Sequence, residues 1–140
     1  MIQRIQSLWL LLAAAFTAGS FKFSFFSGNQ LNTTTNVKEF IRYTAHQNVW
    51  VLILSVIISV TALVSIFMYK DRKRQSLIVL AAGILSVILI GLYFSIESNF
   101  TESSLDLSSL IHFSVPLFLA LALRAIYKDE KLVKSADRIR

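Results

Sequence analysis

No cysteine occurs in this chain, which excludes disulfides, thiolate metal sites and cysteine nucleophiles together. Charge is scarce as well. Only 16% of the 140 residues are charged, against 55% hydrophobic, and the mean hydropathy is +0.63. A soluble domain of this length needs more polar residues to cover its surface, so lipid must supply much of the solvent. Histidine is limited to His46 and His112. Both are predicted to lie outside the membrane, and a bis-histidine haem is the one axial pair they allow. The sequence has no metal-ligand spacing, no paired carboxylates within an apolar run, no nucleophile elbow and no glycine-rich phosphate loop. Neither an enzyme nor a cofactor or metal site is expected. The net charge of +6 comes without a groove-reading or base-stacking motif, so no nucleic-acid partner is expected. Cations of this kind gather in cytoplasmic loops and attract anionic headgroups of the lipid bilayer.

What the chain does have is four long apolar runs. The first covers residues 5–26. Arg4 and the run 8–16 resemble a signal peptide, and Ala18-Gly19-Ser20 offers small residues for cleavage. The apolar character continues through Phe21, Phe23, Phe25 and Phe26, so an uncleaved first span is expected. Ala14-Ala15 and Ala18-Gly19 repeat at a spacing of four and permit close helix contact, while Trp9 suits the interface. The second run, 49–69, is uncharged and rich in Val and Ile. In lipid its backbone must pair internally, which favours helix over strand. Ser55, Ser59 and Ala62 give it a small-residue face. The third run is 77–96, with Gly83, Val87 and Gly91 on one face and close helix approach expected there. The fourth is 107–127, with the single proline, Pro116, inside it, where it removes one backbone hydrogen bond and is expected to kink the helix.

The connections differ in character. Residues 28–47 form a polar stretch rich in Asn and Thr. Within it, Asn36-Val37-Lys38-Glu39 resembles a capping box, and Val37, Phe40, Ile41 and Thr44 follow at helical spacing. These predict a short external amphipathic helix on the membrane surface. Asn32-Thr33-Thr34 and Asn99-Phe100-Thr101 match the glycosylation sequon by composition alone. Residues 97–106 are acidic and serine-rich. Between the second and third runs lies the basic hinge Tyr69-Lys70-Asp71-Arg72-Lys73-Arg74-Gln75. The tail, 128–140, is predicted to continue as a helix outside the bilayer, with Leu132, Ala136 and Ile139 on one stripe.

Counting cations orients the chain. Arg4, the hinge and the tail side together hold eleven, whereas the opposite side holds only Lys22, Lys38 and Arg42. Both termini are therefore expected in the cytoplasm. The predicted fold is an all-α integral membrane four-helix bundle of antiparallel hairpins, forming a single membrane domain over residues 1–140 with a cytoplasmic helical tail.

Met1-Ile2-Gln3-Arg4-Ile5-Gln6-Ser7-Leu8-Trp9-Leu10-Leu11-Leu12-Ala13 at one end resembles a family of small membrane proteins from Bacteroidetes-type bacteria. So, more specifically, does the other end, running from Leu123-Arg124-Ala125-Ile126-Tyr127-Lys128-Asp129-Glu130 to Ser135-Ala136-Asp137-Arg138-Ile139-Arg140. The family is the one called domain of unknown function 4293. Its usual ending is Asp-Arg-Leu-Arg, so Ile139 is a conservative departure, and Leu123 stands where the family often has Asn. The resemblance implies a four-span bacterial inner-membrane protein, and it carries over no catalytic residue.

Two sets of residues remain as candidates. Lys70, Arg72, Lys73, Arg74, Asp129, Glu130, Asp137, Arg138 and Arg140 would form a cytoplasmic docking face for lipid headgroups or a partner in a membrane complex. Within it, Asp129 or Asp137 is expected to pair with Arg72, Lys73 or Arg74. This set predicts a non-enzymatic accessory or scaffold subunit. Lys22, Glu97 and His112 would form a polar outer cluster in a small transporter or channel component. The middle of each run is apolar, so a pore would need a homo-oligomer.

Overall fold

Helices follow from the apolar runs, but both polar connections on the sheet side contribute strands, and the end of the first run folds differently. The structure is a computed structural model and describes residues 3–31, 37–100 and 102–137. Four helices occur among them: α1 (Gln3–Gly19), α2 (Val49–Phe67), α3 (Arg72–Glu97) and α4 (Ser109–Asp137). The segments Val49–Phe67, Arg72–Glu97 and Ser109–Val133 are long and apolar enough to cross a membrane. α1 is apolar over Ile5–Gly19 but shorter. α1 packs against α2 and α4, and α3 packs against the same two. The pairing is antiparallel where side chains mark it: Gln6 of α1 meets Asp129 of α4, and Phe16 meets Phe118.

Each helix buries a stripe with the spacing of one face. On α1 the stripe is Gln6, Leu10, Ala13, Ala14, Thr17 and on α2 it is Val51, Ser55, Ile58, Ala62, Ser65. On α3 and α4 it again mixes small, polar and apolar residues, among them Val79, Ala82, Ser86 and Ser109, Ala122. The large aliphatic side chains face outward, such as Ile53, Leu63, Leu80, Ile84, Leu110 and Leu117. Only 28% of the apolar segments of α2 and α3 and 33% of that of α4 is buried inside the protein. Water would not tolerate such a surface, whereas small residues inside and large ones outside suit helices that associate in lipid. Most buried hydroxyls return to their own helix. Thr17 donates to the Ala13 carbonyl at 2.7 Å, Ser65 to Thr61 at 2.7 Å and Ser86 to Gly83 at 2.7 Å.

The expectation of an all-α chain needs correction. Strands β1 (Phe26–Leu31), β2 (Lys38–Tyr43) and β3 (Glu102–Leu105) form an antiparallel sheet in the order β2-β1-β3. The predicted external amphipathic helix is β2. Its register sets Tyr43 opposite Phe26 and Lys38 opposite Leu31, and pairing to β1 satisfies backbone groups that a lone helix would leave to water. The first helix also stops short of the predicted 5–26. Ser20 donates both its amide and its hydroxyl to the Thr17 carbonyl, at 3.1 and 2.6 Å, the chain turns through residues 20–25, and Phe26 begins β1. The basic hinge is not a loop either. The turn is 68–71, and Arg72, Lys73 and Arg74 are the first residues of α3. α4 runs through Pro116 to Asp137, so the chain continues as helix past residue 127, as the tail was predicted to do. Gly83 and Gly91 do not mark close helix approach, since a side-chain carbon at either would meet nothing within 4 Å. Asn32, Thr33, Thr34, Thr101, Arg138 and Arg140 lie outside the described residues.

Under the sheet sits an aromatic layer. Phe25 stacks on Tyr93 at 4.5 Å, and Phe26 on Tyr43 at 4.9 Å. Phe100 meets Phe26 edge-on at 5.0 Å. Such pairs add to the area they bury and fasten the sheet to α3.

Candidate functional site

The two ends of the helices are chemically unlike, and each holds described members of one of the two candidate sets. At the end away from the sheet, the 68–71 turn brings α2 into α3. The Asp71 amide donates to the Met68 carbonyl at 3.1 Å, and the Asp71 carbonyl accepts from the Gln75 amide at 2.9 Å. Arg74 pairs with Asp71 at 3.1 Å, with both side chains exposed. Ion pairs of this kind contribute little in water. Arg72 is half-buried and donates to the main-chain carbonyl of Asp129 at 2.9 Å. The Gln6 amide donates to the Asp129 carboxyl, which is only 4% exposed. Gln75 is buried too, and its amide donates to the Ser65 carbonyl at 2.8 Å. Buried polar groups thus tie all four helices together at this end.

Arg72 thus lies beside residue 129, but not through the ion pair the sequence suggested. Arg72 reaches the backbone of residue 129, and the side chain of Asp129 turns inward to Gln6. Asp129 is no part of an exposed docking face, because α4 buries the stripe Val115, Leu119, Ala122, Ile126 and Asp129 falls on it. Lys70, Lys73, Arg74, Lys128 and Lys131 are exposed, and Glu130 is half-exposed. Asp137 is described only as the last residue of α4, and Arg138 and Arg140 lie outside the described residues.

At the sheet end, Lys22, Glu97 and His112 do not converge. Lys22 is exposed in the turn after α1. Glu97 accepts from the Ser103 hydroxyl at 3.0 Å. His112 is 4% exposed and packs edge-on to Phe25 and Tyr93, each at 5.3 Å. A broad hollow of about 510 Å³ opens at this end, lined by Gln30, Ile41, Tyr43, Gln47, Ile96, Asn99 and Phe100, and it includes none of the three. His46 is exposed against Phe21, so the two histidines sit in different surroundings. Among the described residues no cluster of three or more His, Asp or Glu could hold a metal ion.

Three positions that hold the sheet together escape a reading of the sequence. Asp106 accepts from the Ser24 hydroxyl and, at 2.7 Å, from the Ser27 hydroxyl, clamping the entry to β1. Glu102 accepts from Asn29 at 3.0 Å and from Lys38 at 3.1 Å, spanning the sheet from β3 to β2. Those two donors, Asn29 first, hold its carboxyl below the ordinary glutamate value. Gly28 lies where a side-chain carbon would sit 2.4 Å from the Glu102 carbonyl oxygen.

A family model described as "Domain of unknown function (DUF4293)" matches residues 2–139, nearly the whole chain. No curated protein and no solved structure matches.

Proposed function

Because the chain belongs to the family described as domain of unknown function DUF4293, which names no activity, we propose a function from its own geometry. The protein is a non-enzymatic integral protein of the bacterial inner membrane. It crosses the bilayer four times as an antiparallel helix bundle, with both termini in the cytoplasm. It serves as an accessory or scaffold subunit, and its basic end is a docking face for anionic headgroups and a partner in a membrane complex.

The observation that carries this reading is the bond from Arg72 to the main chain of Asp129. It draws the α2–α3 turn and the end of α4 onto one surface, where Lys70, Lys73, Arg74, Lys128 and Lys131 are exposed. Each such cation near an anionic leaflet is worth about 1 kcal/mol. The sheet end has fewer cations, and one of them, Lys38, is engaged by Glu102.

The absence of native cysteine makes the topology directly testable. Single substitutions Lys38→Cys, Lys70→Cys and Lys131→Cys are exposed to a membrane-impermeant maleimide in intact cells. Lys38→Cys should react, and the other two only after permeabilisation. Labelling of Lys38→Cys and Lys70→Cys from the same side would sink the topology. Deleting residues 130–140 should leave insertion intact and abolish partner co-purification in mild detergent. Unchanged recovery would refute docking through the tail.

A further inference from the structure

Beneath the aromatic layer, α1, α3 and α4 enclose a cavity of about 10 Å³, the space open to the centre of a water molecule. Thr17, Ser20, Ser86, Tyr93 and His112 supply its polar lining, and Leu89, Ile90 and Val115 the rest. Two of these residues, each more than nine-tenths buried, carry a polar atom with no protein partner: the Tyr93 hydroxyl and His112 Nε2. They are therefore not bonded to one another.

The roles of the lining groups follow from where their protons go. His112 Nδ1 lies 3.4 Å from the Ser108 carbonyl, which can only accept, so Nδ1 carries the proton and Nε2 is left as an acceptor. The hydroxyls of Thr17, Ser20 and Ser86 donate to main-chain carbonyls at 2.7, 2.6 and 2.7 Å, which leaves their lone pairs free. Tyr93 keeps the one uncommitted donor. The lining thus presents one donor and several acceptors around a space the size of a single small molecule. A water molecule is complementary to that set, with one acceptor face for Tyr93 and two protons for His112 Nε2 and a hydroxyl oxygen. A sodium ion would leave the Tyr93 donor opposed, and an ammonium ion lacks the acceptor that Tyr93 needs.

We propose that this cavity is a binding site for one ordered water molecule, which bridges the Tyr93 hydroxyl to His112 Nε2 and so joins α3 to α4 beside α1 under the sheet. Polar bridges of this kind hold transmembrane helices together where apolar contact adds little.

The test is magic-angle-spinning NMR of the full isotope-labelled chain in lipid bilayers. Magnetisation is transferred from water protons, with exposed Tyr69 as the positive control. Wild type should show transfer to both the Tyr93 and His112 rings, and a His112 nitrogen pattern of protonated Nδ1 and bare Nε2. Both features should be the same in sodium and in choline buffer. Tyr93→Phe should lose the transfer at His112. No transfer to either ring in wild type overturns the proposal, as does a protonated Nε2, a dependence on sodium, or transfer at His112 that survives Tyr93→Phe. The wild-type measurement decides even if the variant fails to insert.

Discussion

Two glycines make opposite demands on their surroundings. At Gly28 an added methyl would meet the Glu102 carbonyl at 2.4 Å and the Ser103 main chain at 3.1 Å, and neither backbone can yield without parting β1 from β3. Gly28→Ala should therefore cost about 1–3 kcal/mol, the usual penalty of overpacking. It should be read as a lower Tm in detergent and faster amide exchange in β3, with helical circular dichroism retained. At Gly83 the same change meets nothing within 4 Å and should stabilise α3 by about 0.5–1 kcal/mol. The sequence showed both as glycines but not what faces each, because that is decided by elements distant in the chain. Glu102 offers a third test. Its carboxyl is held below its ordinary value of 4.5, so it adds stability above that pH and loses it as the pH falls through the lowered value. Amide protection across β2 and β3 should drop on acidification in wild type and be insensitive to pH over that range in Glu102→Gln. Equal sensitivity in the two would assign the effect to another group.

Between elements, Gln6 against Asp129 ties the start of α1 to the C-terminal half of α4. Gln6→Leu leaves the buried Asp129 side chain without its donor and should lower stability by about 1–3 kcal/mol. Replacing both, Gln6→Leu with Asp129→Leu, should recover much of the loss, since two apolar groups leave nothing unpaired. A double variant as unstable as the single one would show that packing, not the hydrogen bond, matters there. Sequence reading found where the helices would form because 20-residue apolar runs have few alternatives in lipid. Hydrophobicity also carried the first span too far: Phe25 and Phe26 are as apolar as any helix residue, and only their partners Tyr93 and Tyr43 make them part of a sheet-and-ring layer. The capping-box pattern at Asn36–Glu39 misled for a similar reason. β1 supplies pairing that local spacing does not reveal.

For the whole molecule, the apolar runs pointed to helices in lipid, and the outward-facing aliphatics fit that surrounding. What the sequence hid was the tie across the sheet end, Lys38 to Glu102, and the inward turn of the Asp129 side chain to Gln6 at the other end. The sheet tie has a consequence in time. β1 and β2 leave the ribosome before α2, but β3 belongs to the connection between α3 and α4 and emerges only after three helices have been made. One edge of β1 must therefore wait through most of synthesis, and β3 can close on it only once α3 has been made. Nascent chains halted near residue 100 should be inserted yet sensitive to protease at β1, and chains released at full length should not.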